Sequence, residues 1–171
     1  MNLDPHSEKA IKKALKERKR NKKIVFVSGN FNIIHPGHSR LLRFASECGD
    51  YLVVGVLADR KKKTVVSQEL RLEGIESISC VNDCFILKDK LEHFITQLRP
   101  DIIVKGKEHE LGVNIEEKLV EECGGRLLFG SGDTSFSSLD LLRKEFLEID
   151  FSTIQKPAEF LTRHNVTLND L

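Results

Sequence analysis

Two histidines, His35 and His38, flank Pro36-Gly37 in the segment Ser28-Gly29-Asn30-Phe31-Asn32-Ile33-Ile34-His35-Pro36-Gly37-His38. Pro-Gly suits the opening of a helix, and the free N–H groups of a helix N-terminus favour an anion. Two imidazoles beside that anion would add hydrogen-bond donors. Such a set suits negative charge that develops on a phosphate during transfer. Gly29 lets the chain turn tightly and lets a ligand approach the backbone. On its own, HxxH is also the pattern of two core histidines or two metal ligands. A zinc site needs further Cys, His or carboxylate ligands at suitable spacing, and none stands nearby in the sequence. GxxxxGK[ST] and GxGxxG are both absent, which excludes a P-loop enzyme and disfavours a dinucleotide dehydrogenase.

The elements that must position these residues alternate along the chain. KIVFVSGN (23–30) reads as a strand feeding a turn, and GHSRLLRFASECG (37–49) as a helix with a glycine stop. YLVVGVLA (51–58), CFILK (84–88), DIIVKG (101–106) and RLLFGSG (126–132) read as further strands, the continuous apolar runs marking burial on both faces. Helices fall at 67–79 with Ser67 as N-cap, at 89–99 stopped by Pro100, at 114–125 with a Gly-Gly stop, and at 137–148 capped by Ser137 or Ser138. Alternating strands and helices imply an α/β fold, a doubly wound parallel sheet in a three-layer α/β/α, Rossmann-like sandwich of one domain. Ligands in such sheets bind beyond the carboxyl ends of the strands. The places to search are therefore residues 28–38, 58–66, 105–112 and 130–138.

The length of 171 residues suits one domain with appendages, and 40% hydrophobic with 31% charged residues excludes a disordered tail. No apolar run nears the roughly 20 residues that span a bilayer. The N-terminus has no apolar core of a secretory signal, so a cytoplasmic location is expected. Cys48, Cys80, Cys84 and Cys123 form no disulfide framework. The net charge of +1 divides into +8 over residues 9–23 and −7 elsewhere, which argues against a nucleic-acid-binding surface on the body. SEKAIKKALKERKR (7–20) reads as a helix with Ser7 as N-cap and a narrow stripe of Ala10, Ile11, Ala14 and Leu15, too small for strong membrane insertion. The expected organisation is a basic N-terminal helix (1–22), a central domain (23–148), and a C-terminal extension or linker (149–171).

SGNFNIIHPGH resembles the GxFDxxHxGH signature of the cytidylyltransferase-like nucleotidyltransferases. LRPDIIVKGKEHE (98–110) resembles the LxPDxxVKGxDY segment of the branch holding glycerol-3-phosphate cytidylyltransferase and the nucleotidyltransferase domain of bacterial ADP-heptose synthase. GGRLLF with SFSSLDLLRK (124–144) looks like that branch's last strand and STTxII helix start, and KKKTVVSQELR (61–71) like its lysine loop and following Arg. The resemblance implies a reaction in which a substrate phosphate attacks the α-phosphorus of a nucleoside triphosphate, CTP or ATP, and pyrophosphate leaves. The acceptor would be a phosphorylated polyol or sugar.

Roles follow from the resemblance position by position. His35 and His38 would contact the triphosphate and its transition state, and one of Lys61, Lys62 and Lys63 would neutralise phosphate charge. Gly29, Asn30, Phe31 and Gly37 would form the turn under the nucleotide. Lys105 and Gly106 would face base and ribose, while Ser137 and Ser138 would offer hydroxyls to the phosphates. Arg71 would position the loop or the substrate, and Asn32 would stand on the substrate side. Mg²⁺ would arrive with the triphosphate, with no protein-caged metal. Homodimers are common for this fold by resemblance, and fusion to a further domain fits the branch. Neither nucleic acid nor membrane is expected as a partner. Asn32 stands where the family usually has Asp, Lys107-Glu108-His109 where it often has Gly-Asp-Tyr, and Leu139 where it has a second Thr. These departures leave a second reading open, a catalytically weakened nucleotide-binding or regulatory domain of a larger protein.

Overall fold

The computed structural model describes residues 3–59, 65–106, 110, 112 and 114–130. Contacts divide the chain into Met1–Ser135 and Phe136–Leu171, and the second unit lies outside the described residues. In chain order the elements are α1 (Pro5–Arg18), β1 (Ile24–Gly29), α2 (Pro36–Glu47), β2 (Tyr51–Leu57), α3 (Gln68–Glu76), β3 (Asp83–Leu87), α4 (Leu91–Leu98), β4 (Ile102–Gly106), α5 (Ile115–Glu122) and β5 (Arg126–Gly130). The strands form one parallel sheet in the order β3-β2-β1-β4-β5, the Rossmann-like α/β fold expected from the alternation.

Strand side chains alternate between two cores. Ile24, Phe26, Val53, Phe85 and Ile103 pack with α1, α4 and α5 on one face. Val25, Val27, Leu52, Val54, Ile102 and Val104 pack with α2 and α3 on the other. Each fully buried aliphatic or aromatic side chain contributes about 1.5–3 kcal/mol of transfer free energy. Having helices on both faces explains why the central strands read as continuous apolar runs rather than alternating ones. Polar side chains hold the amino ends of the strands. Asp50 accepts from Lys23 N (2.9 Å), Asn82 from Leu52 N (2.7 Å) and Asp101 from Ile24 N (2.7 Å).

Helix α1 departs from expectation at its start. Asp4, not Ser7, is the N-cap and accepts from His6 N at 3.0 Å, with Pro5 in the first turn. A carboxylate cap followed by proline outcompetes a serine three residues on. Ser7 lies inside the helix and is buried with Ala10, Ile11 and Ala14, whereas Leu15 is 40% exposed. Several of the basic residues have intramolecular partners. Arg18 donates to the terminal carbonyls of α4 at Leu98 (3.1 Å) and Arg99 (2.5 Å), Lys13 pairs with Asp83 (2.5 Å), and Glu17 takes Arg20 (2.9 Å) and Lys22 (2.6 Å). Exposed pairs of this kind are each worth about 0–1 kcal/mol, so they set the seat of α1 more than its stability.

The glycine stop after α5 has two different causes. Gly124 sits at φ +84°, a left-handed conformation. A Cβ on Gly125 would lie 2.3 Å from the Pro100 carbonyl oxygen, so close backbone approach is what requires glycine there.

Candidate active site

The sheet reverses winding direction at β1 and β4. The β1–β2 ladder continues to Gly29↔Val56, but the β1–β4 register ends at Phe26↔Ile103. A crevice at this switch point is where open α/β sheets take ligands. The signature turn and the N-terminus of α2 follow the carboxyl end of β1, and Lys105-Gly106 end the neighbouring β4.

The turn after β1 is built around Phe31. Its φ of +48° is left-handed, unusual for a bulky residue, and its ring is 3% exposed. A Cβ on Gly29 would lie 3.1 Å from that ring, tighter than most side-chain contacts, so glycine gives Phe31 room to fold back. The Phe31 ring meets His38 edge-on at 5.2 Å, and His38 stacks on His35 at 3.8 Å with 25° between planes. His35 occupies the N-cap position of α2, with Pro36 at the first helical position, and its carbonyl accepts the first backbone bond from Ser39 N at 3.2 Å. His35 is 8% exposed, and the Nδ1 atoms of both rings are buried. One stack, Phe31–His38–His35, thus fixes both imidazoles at a helix N-terminus that favours anions.

Asn32 and Arg71 tie the second loop to this turn. Asn32 Oδ1 accepts from Val65 N (2.9 Å) and Val66 N (3.1 Å). Arg71 on α3 has a fully buried side chain that donates to the carbonyls of Asn30, Leu57 (3.0 Å) and Val66 (3.1 Å), and to Asp59 Oδ1 (2.5 Å). A planar guanidinium with five donors can satisfy acceptors on three segments at once, which a lysine cannot. Of the two roles the resemblance implies for Arg71, this geometry supports loop positioning.

At the end of β4, Lys105 and Gly106 pair with Phe129 and Gly130. Lys105 Nζ lies 2.8 Å from Glu116 Oε1 in the first turn of α5, with both side chains mostly buried. Lys61, Lys62, Lys63, Ser137 and Ser138 lie outside the described residues, as do Lys107, His109 and Leu139. The described part of the site therefore joins Gly29, Asn30, Phe31, Asn32, His35, Gly37, His38 and Arg71 in one cluster, with Lys105 and Gly106 on the neighbouring strand end. Asp59, Gln68 and Glu116 were not anticipated. An acid directly after the buried run YLVVGVLA, at the carboxyl edge where ligands bind, was the available signal for Asp59.

A five-stranded parallel sheet with a histidine pair at its switch point defines the class as Rossmann-like α/β proteins. The chain belongs to the cytidylyltransferase-like family, whose profile matches residues 26–165. It is 33% identical over 119 residues to the bifunctional protein HldE of Syntrophotalea carbinolica, covering 65% of this chain and 24% of that protein. It is 37% identical over 108 residues to the HldE of Helicobacter pylori, covering 58% and 23%. The chain thus spans about a quarter of the length of these curated relatives. The lipopolysaccharide core biosynthesis protein of Thermoplasma volcanium shares the fold, with a TM-score of 0.58 at 24% identity over 66% of this chain and 99% of that one. Among the described residues no helix is long and apolar enough to cross a membrane.

Proposed function

We propose that this chain transfers a nucleoside monophosphate from CTP or ATP to the phosphate of a phosphorylated polyol or sugar. The observation that carries this reading is the His35–His38 stack at the N-terminus of α2, which follows β1 at the switch point between β1 and β4. An acceptor phosphate oxygen attacks the α-phosphorus, the α–β bridging P–O bond breaks, and pyrophosphate leaves with the electron pair. His35, His38 and the N–H groups of Gly37 and His38 donate to the charge that builds on the non-bridging oxygens. One of Lys61–Lys63 neutralises the departing phosphates. Lys105 and Gly106 face the base and ribose, and Ser137 and Ser138 offer hydroxyls to the phosphates. Imidazoles and a carboxamide suit phosphate oxygens better than a hard cation, so Mg²⁺ would be held chiefly by the triphosphate and supply charge neutralisation there.

The resemblance to the ADP-heptose synthase domain favours ATP with a sugar phosphate, and the resemblance to the glycerol-3-phosphate enzyme favours CTP. Because the HldE relatives are named bifunctional and are matched over a quarter of their length, this chain corresponds to one part of such a protein. The Lys105–Glu116 pair favours a second reading, a weakened nucleotide-binding domain, since it neutralises a cation the site would use. Acceptor-dependent pyrophosphate release separates the two.

A further inference from the structure

An ion pair joins the carboxyl end of β4 to the start of α5. Lys105 Nζ lies 2.8 Å from Glu116 Oε1, and the two side chains are only 18% and 13% exposed. Side chains alternate along β4. Ile102 and Val104 enter the core beneath α2 and α3, and Ile103 enters the opposite core. Lys105, two residues beyond Ile103, therefore projects on the same side of the sheet as α5. Its partner comes from the first turn of that helix. The pair stands on the strand beside β1 at the switch point, at the edge where open α/β sheets receive ligands. A mostly buried pair is a poor source of stability, because taking both charges out of water offsets most of their attraction. What it does is hold a flexible four-carbon side chain in one place. An ammonium has three N–H donors, and Glu116 takes one of them.

We propose that Glu116 is a positioning residue, which holds the Lys105 ammonium ready for the nucleotide rather than withholding it. This rests on the reading above that Lys105 meets the base and ribose. Glu116 acts through Lys105 and has no need to touch the nucleotide itself. A lysine already held in place loses less rotamer freedom when the nucleotide binds than a free one does. A carboxylate that instead competed with nucleotide for the ammonium would give the opposite sign on its removal.

Titration of the whole chain with CTP and with ATP, each with Mg²⁺, reads that sign. Glu116→Gln should weaken binding of the preferred nucleotide about tenfold, as expected when a charge-assisted bond that orders its partner is lost. Glu116→Asp, which keeps the carboxylate on a shorter stem, should recover part of it. In a chain already carrying Lys105→Met, Glu116→Gln should weaken binding no further. That double variant holds no unpaired charge, so it should regain most of the Tm that either single change loses while its nucleotide binding stays weak. Tighter or unchanged binding in Glu116→Gln would overturn the proposal. So would weakening that multiplies with Lys105→Met, affinity that returns together with Tm in the double variant, or a wild-type chain that binds neither nucleotide. The expected binding pattern without any pyrophosphate release removes the enzymatic reading and leaves the positioning role standing. Acceptor-dependent release with unaltered binding in Glu116→Gln does the reverse.

Discussion

The imidazole rings of His35 and His38 stack with their centroids 3.8 Å apart, and Phe31 closes the stack from the His38 side at 5.2 Å. The spacing HxxH places the two rings one turn apart across the start of α2, and the left-handed Phe31 leaves them little freedom. In the proposed reaction, two donors fixed before substrate arrives would cost no reorganisation. Replacing either histidine with alanine should therefore cut turnover at least about a hundredfold while nucleotide affinity changes far less. Steady-state rates with a parallel binding titration measure the split. Unchanged rates in both variants would remove the histidines from the site.

Arg71 should prove as important to stability as to activity. Its removal leaves the carbonyls of Asn30, Leu57 and Val66 without a donor they now have. Arg71→Met should cost about 3 kcal/mol in urea unfolding, most of it from the lost backbone acceptors rather than from Asp59, whose carboxylate is partly exposed. Arg71→Lys should recover only a fraction, because one ammonium cannot reach acceptors on three segments.

The two glycines that end α5 should respond differently to alanine. Gly124→Ala meets no neighbour and suffers only the left-handed backbone, about 1 kcal/mol. Gly125→Ala would press a Cβ against the Pro100 and Asp101 carbonyls at 2.3 and 2.9 Å and should cost about 2 kcal/mol or more. Denaturation midpoints of the pair check the order, and a larger effect at Gly124 would contradict the assigned causes.

Alkaline pH should destabilise the fold. Burial pushes the Cys84 thiol from 9.0 up to about 12, with Glu76 and Asp83 adding to the rise. Burial, helped by Asp83 and Glu17, raises the Tyr51 hydroxyl from 10.0 to about 12. Both groups hold their protons longer in the folded state than in the unfolded chain, so stability is full below about pH 9 and falls as pH rises toward 12. Thermal melts between pH 8 and 11 should show Tm decreasing, with a shallower decrease in Cys84→Ala and Tyr51→Phe. A Tm that is flat over this range would contradict the shifts.

Much of the fold could be read from local chemistry. Apolar runs of strand length, Ser67 before α3 and Pro100 after α4 each act within a few residues, and each appears in its expected place. The N-cap of α1 is written in Asp4-Pro5, three residues before the Ser7 that the helix pattern favours. What the sequence hid is long-range. Nothing near Arg71 announces that its guanidinium reaches back to Asn30, and nothing near Lys105 announces Glu116. Gly29 reads as a turn residue with room for a ligand, yet its near neighbour is the Phe31 ring, which depends on a backbone conformation no composition rule predicts. The histidine pair is legible because its spacing and its Pro-Gly are local, whereas the bonds of Asn32 and Arg71 emerge only once three segments are brought together.

Pyrophosphate release with Mg²⁺ tests the central claim most directly, crossing CTP and ATP against glycerol-3-phosphate and a panel of sugar 1-phosphates, with the His38→Ala protein alongside. The proposed reaction predicts release that depends on one nucleotide and one acceptor together and is lost in His38→Ala. Release that ignores the acceptor or survives in His38→Ala would contradict it, and so would thermal stabilisation by nucleotide with no release across the panel, which would leave a nucleotide-binding domain in the enzyme's place.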